Sequence, residues 1–295
     1  MNPTAAFGQI TMPELPEVEV LARHLRPLLR GKIIRGVKVR RAKVLSPTSL
    51  RKFRQILLGA KFTGLTRRGK YLLFQLDGED PGQPVILLGH LGMTGRFFLA
   101  RQHKRLPAHT AVVFNLGRQN FIYEDTRYFG RLTLDVSSVK KLGPEPLSRD
   151  FQPAVLARAL KRSRQAVKVR LLDQTLVAGV GNIYASEALF RARLSPKLAA
   201  NRLKPEQIKR LWRAIRGVLD EAIRCGSTVP LNFGGGKPDG LFYFGRAPCA
   251  PDFYQERLRV YDQEGQPCPN CRRPIERLTQ AARSTFYCRN CQRAG

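Results

Sequence analysis

Two short knuckles near the C-terminus, Cys268-Pro-Asn-Cys271 and Cys288-Arg-Asn-Cys291, constrain this chain more tightly than any other stretch. Positions 272–287 separate them. Paired CxxC knuckles at that separation bring four thiolates to the corners of a tetrahedron, the geometry of structural zinc. Residues 258–295 are therefore expected to fold as a zinc-ribbon finger. With four protein thiolates no coordination position stays open, so one Zn2+ holds the fold and takes no part in chemistry. Disulfides are the rival use of such cysteines. The chain shows no secretory signal: residues 1–11 lack both a basic start and an apolar core. A reducing, cytoplasmic setting is expected, and there paired cysteines bind metal. Cys225 and Cys249 lack partner spacing and read as bystanders.

Charge sets the class of partner. The 295 residues hold 52 Lys and Arg against 22 Asp and Glu, a net charge of +30. An excess of that size calls for a polyanion. No apolar run is long enough to span a bilayer, and the basic residues are scattered through structured segments rather than gathered in one tail. A nucleic-acid groove is favoured over a membrane surface.

At the other end lies Met12-Pro13-Glu14-Leu15-Pro16-Glu17-Val18-Glu19. Val18, Leu21, Ala22, Leu25 and Leu28 follow helical spacing, which predicts a helix from about Pro16 to Leu29. Pro16 suits its first turn, and Glu17 and Glu19 suit the positive end of its dipole. If translation starts at Met12 and that methionine is removed, Pro13 carries a free secondary amine. An amine beside a carboxylate can attack an electrophilic carbon and form an iminium. Residues 1–11 have no pattern of their own, and a retained extension would lock the Pro13 nitrogen into an amide. Either translation starts at Met12 or the extension is trimmed later; a start at Met12 is favoured, and residues 1–11 are expected to be absent from the mature protein.

The remaining pattern divides the chain. Residues 33–40, 71–76, 85–88 and 111–114 are short β-branched or aromatic runs between Gly, Pro and Asp-Gly punctuation, predicting a sandwich of antiparallel strands over 12–140. Residues 49–58 fit a short helix between strands. A Pro/Gly linker follows at 141–150. From 151 the pattern turns helical, with a basic run at 160–170. Gly179-Val180-Gly181-Asn182 opens a helix whose free N–H groups would suit phosphate, although Asn182 reads equally well as an N-cap. Glu206 to Arg224 forms an amphipathic helix with Trp212 taken as core. Residues 225–256 are rich in Gly and Pro without a clear period. The fold class is α+β: a β-sandwich with a leading α-helix, a helical module over 151–257, and the finger.

Five motifs, in order, resemble the formamidopyrimidine-DNA glycosylase family over Met12 to Gln292. They are Met-Pro-Glu-Leu-Pro-Glu-Val-Glu, Arg67-Arg68-Gly69-Lys70-Tyr71, His90-Leu91-Gly92-Met93, Leu176 through Glu187, and Arg283-Ser284-Thr285-Phe286-Tyr287-Cys288. Asp125-Thr126-Arg127-Tyr128-Phe129-Gly130 is similar to a sixth family turn. The resemblance implies a helix–two-turn–helix element in the helical module. It also implies a bifunctional DNA glycosylase and AP lyase of base-excision repair, acting as a monomer on damaged double-stranded DNA. Pro13 would be the Schiff-base nucleophile, Glu14 would move protons, and Lys70 and Arg283 would hold phosphates. Met93, Arg127 and Phe129 would fill the gap left by an extruded base, with the wedge and the cation replacing lost stacking. His109, Arg164 and Asn182 would contact the DNA backbone. Glu17 would fix the helix start or relay protons.

The chain departs from the family pattern in places. Tyr128 stands where a second basic residue is common, which is expected to remove a phosphate contact. Pro107 stands where the first of two histidines is common. An insert carries Gly234-Gly235-Gly236 and Leu241 through Pro248 inside the loop expected to close over the base. The sister endonuclease VIII group, which acts on oxidised pyrimidines, usually has Gly at the position of Leu15. A non-catalytic DNA-binding zinc protein is the reading from another class.

Overall fold

The computed structural model describes residues 12–78, 84–102, 105–226 and 258–293. Helix α1 (Leu15–Leu29) leads, followed by β1 (Gly36–Val39) and α2 (Leu50–Leu57), whose N-cap Ser49 accepts the Lys52 N–H. The strands β2 (Lys61–Arg68), β3 (Tyr71–Asp77), β4 (Pro84–His90), β5 (Gly95–Arg101), β6 (Thr110–Asn115), β7 (Gln119–Asp125) and β8 (Arg131–Thr133) complete the first module. They form two antiparallel four-stranded sheets, β2-β3-β4-β8 and β1-β6-β7-β5. The sandwich expected from the sequence is present, with β2, β5, β7 and β8 added to the four runs identified there.

Aromatic side chains fill the space between the sheets. Phe62 and Phe74 from one sheet meet Phe97 and Phe121 from the other edge-on, with centroids 5.3–6.0 Å apart. Such pairs add to the burial energy of large apolar rings. In β3, Leu72, Phe74 and Leu76 alternate inward, as a half-buried strand requires.

The second module holds α3 (Ser137–Lys140), α4 (Pro153–Lys161), α5 (Val167–Leu171), α6 (Asn182–Arg191) and α7 (Pro205–Arg224). All residues of α6 from Ile183 to Phe190 are buried, which makes it the module's central helix. Trp212 on α7 packs against this core rather than inside it, and its indole N–H donates to the Phe151 carbonyl at 2.6 Å. A half-buried indole finds a partner at the edge of a core. The finger is the antiparallel hairpin of β9 (Glu276–Gln280) and β10 (Arg283–Tyr287). Its Ile275, Phe286, Cys268 and Cys288 share one core with the helices.

Helix α1 bridges the two cores. Leu15 belongs to the helical core, while Val18, Leu21, Ala22, Leu25 and Leu29 belong to the sandwich core. The start of α1 is thus held at the junction of the modules.

Candidate active site

Glu14 precedes α1 and is only 3% exposed. Its carboxylate reaches across the junction to the start of α6. Oε2 accepts the Gly181 N–H at 2.7 Å and the Tyr184 N–H at 3.4 Å, and Oε1 accepts the Ile183 N–H at 2.9 Å. The sequence suggested that these N–H groups were free for phosphate; instead a carboxylate of the chain itself occupies them. The chemistry is the one expected of a helix N-terminus, which favours negative charge. Gly181 is the N-cap and Asn182 the first helical residue, which corrects the N-cap reading of Asn182. The Glu14 N–H donates to Glu17 Oε2 at 2.9 Å, and the Tyr184 hydroxyl donates to Glu17 Oε1 at 2.7 Å. Glu17 therefore fixes the helix start.

Lys70 arrives from the sandwich. Arg67 and Arg68 end β2, Gly69 and Lys70 make the turn, and Tyr71 opens β3, so the basic run closes one strand rather than opening the next. Gly69 turns with φ +56°, a conformation natural to glycine. A β-carbon at Gly181 would sit 2.6 Å from Lys70 Nζ and against the Glu14 carboxyl carbon. The ammonium and the carboxylate therefore converge on one point where only glycine fits. Burial raises the Glu14 pKa, with Lys70 opposing. Burial lowers the Lys70 pKa, with Glu14 opposing and Arg283 adding to the fall. The two shifts run toward each other, as burial of an acid beside a base requires.

A carboxylate in the linker holds the Lys70 turn. Glu145 Oε1 accepts the Gly69 N–H at 2.6 Å and Arg68 Nη1 at 2.9 Å, and Oε2 accepts Arg67 Nη1 at 2.8 Å. Arg68 Nη2 also donates to the carbonyls of Leu142 and Gly143. Both arginines thus tie the linker to the turn.

Arg283 comes from the finger as the exposed first residue of β10. Its hairpin is locked to α6 by Lys168, which is fully buried. Lys168 Nζ donates to the Asn182 side-chain oxygen, to the Ser284 carbonyl at 3.0 Å and to Thr285 Oγ1 at 2.7 Å. Asn182 Nδ2 donates to the same Ser284 carbonyl at 2.9 Å. Burial pushes the Lys168 pKa down to about 8. Glu187, also buried, accepts the N–H groups of Arg259, Val260 and Tyr261, so α6 anchors the chain where it enters the finger. Sequence reasoning missed Glu145, Lys168 and Glu187. For Lys168 a signal existed, since it shares a helical face with Val167 and Leu171.

The four cysteines meet as expected. Their sulfur atoms lie within 4.8 Å of one another, with Cys271–Cys288 at 3.5 Å and Cys268–Cys291 at 3.9 Å. A tetrahedron of about 2.3 Å Zn–S bonds has edges of about 3.8 Å. The donor set fits one structural Zn2+, and these sulfurs would hold it.

Four of the remaining candidates, Met93, His109, Arg127 and Phe129, lie at one end of the sandwich. Phe129 is 57% exposed, and the Arg127 guanidinium lies 5.0 Å from its ring centre. Half-buried Met93 sits in the adjoining β4–β5 turn. Asp125 joins the two loops: it accepts Thr94 Oγ1 at 2.6 Å, the Arg127 N–H at 3.2 Å and the Gly130 N–H at 2.8 Å. Tyr128, left-handed at φ +55°, accepts Arg41 Nε at 3.3 Å and lies beside exposed His109, 6.3 Å between rings. A cation thus stands at this loop although residue 128 is not basic. His90, paired with Tyr71, links this end to the Lys70 turn. Burial and the Lys70 charge push its pKa down to about 4, and its Nδ1 accepts the Gly92 N–H. Arg164 is exposed between α4 and α5. Of the loop expected to close over the base, Ser227 through Glu256 and the insert with Cys249 lie outside the described residues; buried Cys225 packs in the helical core.

Comparison with known proteins agrees with this geometry. Residues 12–132 match the formamidopyrimidine-DNA glycosylase N-terminal domain, 142–231 its H2TH domain, and 265–294 the zinc finger found in FPG and IleRS. The formamidopyrimidine-DNA glycosylase of Thermus thermophilus is 43% identical over 291 residues, covering 96% of this chain and 100% of the relative. That of Chloroflexus aurantiacus is 41% identical over 288 residues, covering 95% and 98%. A Lactococcus lactis FPG mutant in complex with Fapy-dG-containing DNA superposes with a TM-score of 0.83 at 32% identity, covering 95% of this chain and 99% of that one. The Thermus thermophilus MutM (FPG) protein gives 0.78 at 41%, covering 95% and 98%.

Proposed function

The chain belongs to the formamidopyrimidine-DNA glycosylase family, and from that premise we propose that Pro13, freed as an N-terminal amine, carries base excision and strand cleavage here. The protein is a base-excision repair glycosylase with AP lyase activity, and oxidised purines in duplex DNA are its proposed substrates. The convergence of Glu14, Lys70 and Gly181 directly beside Pro13 carries the assignment. Family similarity beginning at residue 12 supports a mature chain that starts at Pro13.

The damaged nucleotide is extruded, and Met93, Arg127 and Phe129 fill the vacated stack. The Pro13 amine attacks C1′ of the sugar. The glycosidic bond breaks, and the base leaves with the bonding pair and picks up a proton. Glu14, whose burial shifts its carboxyl toward the protonated form, delivers a proton to the ring oxygen as the ring opens. The amine loses its own proton and its lone pair closes the C1′ iminium. Loss of a C2′ proton then expels the 3′ phosphate, a second elimination expels the 5′ phosphate, and water releases Pro13. Lys70 and Arg283 bind the flanking phosphates and offset their charge. His109 and Arg164 bind the backbone further out. Asn182 acts by holding the Arg283 hairpin, since its amide is already used on Lys168 and Ser284. The site is complete within one chain, which supports action as a monomer, and the unpaired thiolate set suits the cytoplasm.

Borohydride trapping on duplexes with 8-oxoguanine or thymine glycol, with N-terminal sequencing of the trapped species, tests this. The expected result is a covalent complex that starts at Pro13, formed faster with 8-oxoguanine. A chain that starts at Met1 and still excises would overturn the nucleophile. Preference for thymine glycol would move the enzyme to the endonuclease VIII type.

A further inference from the structure

The end of the sandwich opposite the Phe129 loop carries a second cationic surface. The β6–β7 turn, the end of β5 and the segment between α1 and β1 surround an open cavity of about 1080 Å³. Lys32, Arg35, Arg101 and Arg118 line it, all four are exposed, and among the described residues no carboxylate lines it. Among the described residues, none of the four makes an ion pair. Other surface arginines of this chain do, such as Arg23 with Glu19 and Arg191 with Glu221. Four like charges around one hollow repel one another, and that repulsion is relieved only by an anion.

The hollow is preformed. The Gly117 N–H donates to Asn115 Oδ1 at 2.8 Å, and the Leu116 N–H donates to the Gln119 carbonyl at 2.9 Å. Gly117 turns with φ +91°, and a β-carbon there would touch the Arg35 guanidinium at 3.5 Å. Arg35 is thereby laid along the turn.

Two rulers place the hollow far from the active site. Helix α1 runs from Glu14 almost to Lys32, and its 15 residues span roughly 22 Å. Strand β5 runs from Gly95, opposite Asp125 at the Phe129 loop, to Arg101, opposite Gln119, about 20 Å of extended chain.

The lining also narrows the ligand. Among the described residues Leu116 is its one apolar side chain, so the hollow lacks the enclosure that small molecules use. Its described lining has no aromatic ring on which a single-stranded base could stack. Cations and amides without either feature suit phosphates on a duplex backbone, read without regard to sequence. We propose that this surface binds a second segment of nucleic-acid duplex through its phosphates while the active site holds the damaged segment. The segment belongs to a separate duplex, because the hollow lies at the opposite end of the sandwich from the Phe129 loop.

The test uses the full-length, zinc-loaded protein and the triple variant Arg35→Gln, Arg101→Gln, Arg118→Gln. Each protein is held on a tethered short duplex with a stable abasic-site analogue, and labelled undamaged duplex is added. In a second arm the tethered duplex is lengthened by several helical turns. Wild type should capture the added duplex at least tenfold more tightly than the triple variant; a gain confined to the longer tethered duplex would point to flanking DNA and overturn the proposal. In the triple variant the plot of log affinity against log salt should flatten by about 2.7, the loss of three phosphate contacts. The matching Arg→Lys triple variant should keep the capture, because lysine preserves the charge. Excision from the short duplex should be unchanged in both variants, which separates this result from any failure of the Pro13 assignment. No capture by wild type, or capture that survives in the Gln variant, would overturn the proposal. If the Gln variant folds poorly, loss of capture in the Lys variant would overturn it as well.

Discussion

Replacing Glu14 by Gln exchanges one carboxylate oxygen for an amide NH2 with almost no change in volume, yet the structure gives it a definite cost. The carboxylate accepts three backbone N–H groups with two oxygens. An amide offers a single acceptor oxygen. If that oxygen takes the Gly181 and Tyr184 side, the new NH2 group faces the Ile183 N–H, and a buried donor goes unpaired. Leaving such a donor unsatisfied costs about 1–3 kcal/mol. Buried Lys70 also loses its anionic neighbour, while relief of the buried Glu14 charge works in the opposite direction. We expect Glu14→Gln to be less stable by about 1–3 kcal/mol in urea unfolding, at an unchanged denaturant slope. Excision of 8-oxoguanine should fall by about 10²–10⁴, the range for a positioned proton donor. A variant that unfolds at the wild-type urea concentration and excises at the wild-type rate would refute both the capping of α6 by Glu14 and its part in the chemistry.

Three further outcomes follow from the same geometry. His90 is held neutral with its pKa near 4 against an ordinary 6.5, so the unfolded chain binds more protons between those values. Its contribution, about 3 kcal/mol, is complete above pH 6.5 and lost as pH falls toward 4; His90→Ala should flatten stability across that window relative to wild type, and parallel curves would refute the shift. Glu145→Ala should strand the Gly69 N–H and release the Lys70 turn, lowering stability by about 1–3 kcal/mol and slowing excision while bound zinc stays constant. Removing zinc, by chelator or Cys288→Ser, should abolish DNA binding while hydrogen exchange in the sandwich strands stays slow, because no finger residue belongs to the sandwich core; simultaneous loss of protection in both modules would contradict the two-core description.

Parts of this arrangement were legible from local sequence because local chemistry decides them. Cys spacing announces a metal site, Ser49 announces a helix start, and the spacing from Val18 to Leu25 announces a buried stripe. The missing pieces are decided by partners far along the chain. Strand β7 is buried on both faces, so its sequence lacks the alternation that reveals a strand with one wet side. The β9–β10 turn places Ala281 and Ala282 at φ +47° and +56°, where a glycine or asparagine would have marked it. Free N–H groups at the start of α6 were a fair inference until a glutamate 167 residues earlier, Glu14, was seen to fill them. That last case explains why the modules depend on one another. Glu14 satisfies α6, Glu145 shapes the Lys70 turn, and Lys168 and Glu187 hold the finger, so each side chain proposed to act on DNA stands on one module and is steadied by another. Removing a steadying carboxylate should therefore act on rate through a residue it never touches on its own strand or helix. Such coupling is visible only when the segments are seen together.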